Sequence, residues 1–356
     1  MLRSRACFSV LSSLVVSTLM ACSVTTTPTG TGGPDTTTPA TPVTPTTPTD
    51  PTMPVTPTTP TAKVTFSYST VALPAASLKI GSIGGSSASD VWMVAAPSTA
   101  ASKDPWTAYH YDGTKWDPTT LTATTGRPNF GAVSLGGSNV YLGFSYAADI
   151  FRLQGSSFEK SASFSVTSGY TMAAVGSKVY VGTQENFGAG PLYVLSGSNS
   201  QQIAVTDGNG GVSGIWGASE DDVWLARSGA LGHLVAGVYQ DVDMNPVTDV
   251  HGTAKNDVWT ISDTGARHFD GTNWTDIAIP TSGGSSDKPQ SITALAKDEV
   301  IVTTYSAVYR WDGTAFTKES RTNAPSTSVS MVGRVGTEAW VVTGTSISRL
   351  APDAKK

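Results

Sequence analysis

From Ala62 to the C-terminus, apolar residues fall in short runs that alternate with polar ones, broken by Gly, Pro, Asp or Asn every 8–12 residues or so, at about the spacing of an all-β fold. No window carries the i, i+3, i+4, i+7 spacing of an amphipathic helix. The runs predict strands, and the strands repeat. The anchor of each repeat is a β-rich triplet: Asp90-Val91-Trp92, Asn139-Val140-Tyr141, Lys178-Val179-Tyr180, Asp222-Val223-Trp224, Asp257-Val258-Trp259, Glu299-Val300-Ile301 and Glu338-Ala339-Trp340. These seven anchors lie 35 to 49 residues apart. Before most of them comes an apolar strand ending near Gly, as in Val212–Gly217 and Val247–Gly252. After each comes a third strand, such as Ala108–Tyr111, Ala266–Phe269 and Val308–Trp311.

Several third strands run into Asp-Gly-Thr, at Asp112, Asp270 and Asp312, and a fourth strand then begins at Trp116, Trp274 or Phe316. Asp-Gly supplies the positive φ angles of a tight hairpin. Four strands in a unit of about 42 residues describe a β-propeller blade. The seventh unit has strands near Ser328–Arg334, Glu338–Thr343 and Ser346–Leu350 and then stops, while Lys63–Val71 precedes the first full unit and alternates like an outer strand. The expectation is an all-β, seven-bladed propeller over residues 62–356, its last blade closed by that N-terminal strand, leaving no free edge at the join.

With these motifs the chain resembles the bacterial secreted propellers built from DVW and DGTxW repeats, found among myxobacterial lipoproteins, and is distantly similar to kelch and WD-type propellers. The resemblance covers residues 62–356 and implies architecture, not chemistry. The sialidase-type Asp-box does not match, because Asp112-Gly113 and Asp270-Gly271 have no residue between Asp and Gly. Nor is the signature of the eight-bladed quinoprotein-like assembly lipoproteins present.

The first 61 residues have a different texture. Residues 1–21 place Arg3 and Arg5 before an apolar stretch shorter than the ~20 residues of a membrane span, as in a signal peptide. Leu19-Met20-Ala21-Cys22 resembles the bacterial lipobox, which implies cleavage before Cys22, lipidation of that cysteine and, with Ser23 following, sorting to the outer membrane. Cleavage would remove Cys7 and two of the 22 basic residues, leaving 20 against 27 acidic ones and Cys22 as the sole thiol. No disulfide and no cysteine-based metal or redox centre is then expected. Residues 22–61 form a tether: from Val24 to Thr61, 18 residues are Thr and ten are Pro, too little apolar surface to offset ordering entropy. Its prolines favour an extended spacer of roughly 100 Å, at about 3.1 Å per residue.

The whole chain of 356 residues has a net charge of −5 and only 14% charged residues, against about 25% in an average protein, with no Lys/Arg cluster. That excludes a nucleic-acid partner. Neither a Ser-His-Asp order, a Walker loop nor an HExxH stretch occurs, and no cofactor or metal is expected. Aligned third strands put His110, Arg152, Val194, His233, His268, Arg310 and Arg349 in one column, spread over seven units and therefore too far apart to share a metal. They read as polar residues on a solvent or inter-blade side. His251 ends an inner strand and could line the channel. Glu220-Asp221-Asp222 reads as a turn, lacking the alternate oxygen ligands of a calcium loop.

Loop lengths carry the functional clue. First-to-second and third-to-fourth turns share one face and are short. Connections on the other face are long and irregular: Pro97–Trp106, Thr122–Asn129, Gln184–Gly190, Pro280–Gln290 and Arg321–Thr327. Binding residues concentrate on variable loops held by a rigid scaffold. Trp106, Arg127, Tyr146, Phe187, Asp287 and Lys288 mark the candidate binding face, although such loops can also be idle insertions. The reading is a lipid-anchored, monomeric, non-enzymatic module that binds a protein or polysaccharide of the cell envelope. The alternatives are a glycan-active enzyme using acids such as Asp104, Glu185, Asp207 and Asp287, or a structural subunit of a secretion or motility complex. Deleting residues 62–72 should lower the melting temperature and promote aggregation by exposing a strand edge, whereas deleting 24–55 should leave the melting temperature nearly unchanged. Equal behaviour in thermal scans would remove the N-terminal strand from the fold's closure.

Overall fold

A computed structural model of the chain describes residues 65–99, 105–121, 129–145, 148–166, 168–185, 188–197, 199–205, 210–243, 245–320, 329–343 and 346–353. Cys22 and both N-terminal segments, 1–21 and 22–61, lie outside these. The chain divides into Met1–Pro60 and Thr61–Lys356, and all described elements belong to the second unit.

Among the described residues the fold is all-β, with a single 3-10 turn at Ser285–Asp287. Strand β1 (Phe66–Val71) comes first. The first meander holds β2–β5 (Leu78–Ser87, Asp90–Pro97, Thr107–Tyr111, Trp116–Leu121) and the second β6–β9 (Asn129–Ser134, Val140–Phe144, Asp149–Gln154, Ser157–Ser163). The third holds β10–β13 (Ser168–Val175, Lys178–Glu185, Gly188–Ser196, Asn199–Ile203) and the fourth β14–β17 (Val212–Ser219, Asp222–Arg227, Ala230–Val235, Val238–Asp243). The fifth holds β18–β21 (Asp249–Ala254, Asp257–Ser262, Gly265–Phe269, Trp274–Ile277) and the sixth β22–β25 (Ser291–Ala296, Glu299–Thr303, Val308–Trp311, Phe316–Lys318). β26–β28 (Val329–Val335, Glu338–Thr343, Ser346–Pro352) supply three strands of a seventh, and β1 pairs antiparallel with β28 from Phe66↔Pro352 to Val71↔Ile347. β1 thus takes the fourth position beside the C-terminal strands, and its Phe66, Tyr68 and Val71 are buried.

The second strand of each meander explains the arrangement. Side chains alternate across a strand, and these strands are apolar on both sides because both faces are covered. Val91 points into a core shared with the seventh meander, while Trp92 points into one shared with the second. Val223 and Trp224 divide in the same way between the third and fifth meanders, and Val258 and Trp259 between the fourth and sixth. Each of the seven core clusters draws on two consecutive meanders, and one of them joins Trp340 and Ile347 of the seventh to Val91 and Met93 of the first. First strands touch in order from β2 through β26, and β26 also touches β2. A fourth-strand aromatic seals several boundaries edge-on: Phe158 on Trp92 at 5.3 Å, Trp274 on Trp224 at 5.8 Å, Phe316 on Trp259 at 6.0 Å and Trp116 on Trp340 at 6.3 Å between ring centroids. Burying a side chain of the Val or Phe type contributes roughly 1.5–3 kcal/mol relative to exposure.

The third-strand column lies on the inter-meander side, each residue directly opposite its anchor aromatic or aliphatic: His110 faces Trp92, His233 faces Trp224, His268 faces Trp259 and Arg349 faces Trp340. In the first, fourth and fifth meanders the anchor Asp bonds the His Nε2 at 3.0, 2.8 and 2.7 Å, and the imidazole stacks on the Trp at 4.4, 3.8 and 4.3 Å. The Trp Nε1 also donates to that carboxylate in the first and fifth, at 3.0 Å. Where the anchor is Glu, the column residue is Arg: Arg310 reaches Glu299 and Arg349 reaches Glu338. The longer acid takes the longer base. In the third meander both partners are exchanged, with Lys178 for the acid and Val194 for the base, and Lys178 instead pairs with Glu220 of the fourth. Glu220 also accepts the Ser177 N–H and hydroxyl, so this acidic turn clasps two meanders.

In the Asp-Gly turns the Asp does not take the positive φ expected of it. Tyr111 pairs with Trp116, Phe269 with Trp274 and Trp311 with Phe316, so each loop has four residues. Only the glycines take positive φ, +99° at Gly113 and Gly271 and +101° at Gly313. Asp112 instead caps the loop, its Oδ1 accepting the N–H groups of Thr114 and Lys115 at 2.8 and 2.9 Å, and Asp270 and Asp312 do the same.

A buried charge imbalance sits where β1 covers the sixth meander. Arg310 lies between Glu299 and Glu319, 3.6 Å from the latter, with the Phe66 ring 6.0 Å from its guanidinium. Burial pushes Glu299 up to about 7, against the pull of Arg310 and with the help of Glu319. The folded protein therefore holds this proton to higher pH than the unfolded chain, whose carboxyl titrates near the usual 4.5. Stability from this group is present in acid and is lost as pH rises from the unfolded to the folded value. Thermal midpoints should fall between about pH 5 and 8, and Glu299→Gln should flatten that fall; a profile that rises over this range in the wild-type protein would contradict the assignment.

Candidate functional site

Every first strand contributes to one cavity of about 550 Å³, lined by backbone, small residues and a few polar side chains. Among the described lining residues, charged and titratable groups enter it from only two of those strands, β18 and β26. Asp249 and His251 are two residues apart on β18, hence on the same side of the strand. Both reach across to β22. Asp249 Oδ2 accepts the Ser291 hydroxyl at 3.1 Å and the Ile292 N–H at 3.0 Å, and His251 Nδ1 accepts the Ala294 N–H at 3.2 Å. Side chains of the fifth meander thereby satisfy backbone donors on the facing edge of the sixth. An accepting Nδ1 leaves the proton of the neutral ring on Nε2.

Burial pushes Asp249 up to about 6, although the Ile292 and Val250 N–H groups and Ser291 pull it down. Burial likewise holds His251 well below the ordinary histidine value, helped by the positive charge of Arg334. Arg334 lies near the end of β26, on the side of the short turns. Its Nε donates to Gly336 O at 2.9 Å, and an Nη1 at 3.5 Å from Gly252 O reaches a meander two places away. At that same end Ser86 and Ser134 turn their hydroxyls to Asp90, which also receives Trp92 and His110. Burial alone would raise Asp90, but these donors hold it below the usual carboxylate value.

On the long-connection side the described portion of the candidate face is small. Arg127, Tyr146 and Phe187 lie outside the described residues, as do Asp104 and Asp207. Trp106 is half-buried against the core between the first and second meanders, with Lys79 Nζ 5.9 Å from its ring centroid. Lys288 is half-exposed and pairs with Asp263 in the turn after β19. Asp287 is turned inward, 5% exposed, and presents no charge to solvent. Its carboxylate accepts the Ser282 N–H at 2.6 Å and the hydroxyls of Thr304, Ser306 and Tyr309 at 2.9–3.0 Å. Burial works to raise it, but these donors outweigh that and hold it well below the usual range. Asp287 fixes the 280–290 connection and does not serve as a contact residue on the face: the donors needed to fold the loop consume both its oxygens. A groove beside this connection, lined by Asn245, Thr264, Arg267 and Asp276, opens between the fourth and fifth meanders.

Sequence reasoning reached His251 but passed over Asp249 and Arg334. The available signal was a charged residue inside a first strand, where the other units carry mainly apolar, small or hydroxyl residues.

No protein-family model matches the chain, and no curated protein matches it. Among solved structures it is similar to a streptogramin B lyase, with a TM-score of 0.64 at 10% identity, covering 81% of this chain and 98% of the lyase. It is similar to YCF48 bound to a D1 peptide, with a TM-score of 0.60 at 13% identity, covering 81% and 96%. The WD40 β-propeller domain of Doa1 aligns with a TM-score of 0.58 at 12% identity, covering 80% and 97%. The shared feature is the propeller fold.

Replacing Asp287 by Ala should strand one buried N–H and three hydroxyls and cost about 2–4 kcal/mol, with hydrogen exchange rising at residues 280–290 ahead of the rest. Asp287→Asn should cost less. Unchanged exchange at 280–290 in the Ala variant would show that the carboxylate does not fix the loop.

Proposed function

We propose that residues 62–356 close as a seven-bladed propeller, with β1 completing the last blade, and serve as a binding module for a protein partner of the cell envelope. The module is carried on the 22–61 tether and anchored by lipid at Cys22 in the outer membrane. Closure is supported by the β1–β28 pairing and by core clusters that run from each meander to the next and from the seventh to the first. The observation that carries the binding role is the contrast between faces. One face is built of short turns that cap themselves through their own Asp, leaving little to recognise. The opposite face carries long connections, and the one described throughout, 280–290, is held in a fixed shape by an internal carboxylate. A fixed loop binds without an ordering cost at the moment of contact. The similarity to YCF48 bound to a D1 peptide favours a protein over a polysaccharide as the partner.

The test is capture of partners from an envelope extract by the tagged protein. Trp106→Ala combined with Lys288→Glu should reduce the specifically retained partner about tenfold, as expected when an aromatic and a charge at an interface are lost. Thr272→Glu on the short-turn face should leave retention unchanged. Equal retention by all three proteins, with melting temperatures preserved, would remove the long-connection face from the binding role.

A further inference from the structure

Of the described arginines, Arg227, Arg267, Arg310 and Arg349 each reach a carboxylate, and Arg152 reaches the side-chain oxygen of Asn139. Among the described residues Arg334 bonds only two backbone carbonyls, Gly336 O and Gly252 O, and no carboxylate there lies within ion-pair distance of it. Two bonds leave most of the five guanidinium donors unused. The side chain is exposed, yet it lines the 550 Å³ cavity and reaches toward a meander two places away, so its charge stands over one end of that space. His251 lines the same cavity with Nδ1 already accepting, which leaves Nε2 as a neutral donor. The carboxylates of Asp249, which lines the cavity, and of Asp90 are occupied by other donors: Asp249 by Ser291 and two backbone N–H groups on the fifth and sixth meanders, and Asp90 by Ser86, Ser134, Trp92 and His110.

We propose that the short-turn end of the cavity is a binding site for a carboxylate, with Arg334 as its forked cation and His251 Nε2–H as a neutral donor. A guanidinium grips a carboxylate through two parallel N–H···O bonds. One cation suits a monoanion. A phosphate dianion would need more positive charge than this end of the cavity provides. The carboxylate can come from a peptide C-terminus or from an acidic side chain. The site lies at the opposite end from the long connections and does not depend on their role.

The experiment is titration calorimetry on the full-length protein with triglycine as the free acid, triglycine amide, N-acetyl-Gly-Glu-amide and inorganic phosphate. Histidine resonances are followed by NMR in parallel. Binding of triglycine free acid with the amide at least about tenfold weaker supports the site, since the lost interaction is a charge-assisted pair. Binding of the Glu peptide instead identifies the side-chain source. On binding, the His251 titration should move upward, because the ligand offsets the Arg334 charge. Arg334→Gln should abolish both effects, Arg334→Lys should partly restore binding, and Lys115→Ala, a surface cation on the same face, should change neither. Equal affinity for acid and amide, tighter binding of phosphate than of either carboxylate probe, or undiminished binding by a folded Arg334→Gln protein would overturn the proposal.

Discussion

Everything in this fold depends on sheets that are covered on both sides. A four-stranded meander with one wet face can alternate apolar and polar residues; one pressed between two neighbours cannot. That is why Val140–Phe144 is buried at every position and why adjacent anchor residues serve two different cores. Packing of this kind is slippery, since apolar contact does not specify register. The acid, aromatic and base on adjacent strands supply the missing specificity. Asp with His and Glu with Arg solve one problem, pinning the third strand against the second beside the anchor side chain, whereas Lys178 of the third meander is tied to Glu220 of the fourth.

The repeat made much of this legible. Seven anchors, the third-strand column and the placement of β1 beside the C-terminal strands follow from spacing and alternation, which are local properties. The role of the Asp in Asp-Gly-Thr was misread because composition reveals that a turn exists but not which atom closes it; the Asp caps through its side chain and leaves positive φ to Gly alone. Asp287 looked like a surface charge because it sits in a polar loop. Its burial is decided by Ser282, Thr304, Ser306 and Tyr309, whose convergence no spacing rule announces. Asp249 and Arg334 were hidden for a related reason. They are 85 residues apart in sequence and share a cavity only once all first strands come together.

Polar chemistry in this protein is therefore of two kinds. Most of it is consumed internally: Asp90, Asp257, Glu338 and Asp287 each saturate their oxygens with nearby donors. Among the described residues, Arg334 at one end of the cavity keeps guanidinium donors unspent. The similarity to a streptogramin B lyase and to a peptide-bound YCF48 at comparable TM-scores shows that one fold carries both kinds of protein, so function has to be read from such unspent groups.

The β1–β28 ladder also has a mechanical meaning. Any pull arriving through the N-terminal segment enters the fold at Phe66 and passes first into a strand whose partner lies 286 residues away in sequence. If the pull runs along β1, all of its ladder bonds share the load at once; if it runs across the strand, they break in succession. The Asp353 N–H to Thr65 O bond at 2.8 Å and the Ser67 hydroxyl on Asp353 reinforce the end where that load would arrive. β1 is therefore the first strand of the described fold to bear such a load.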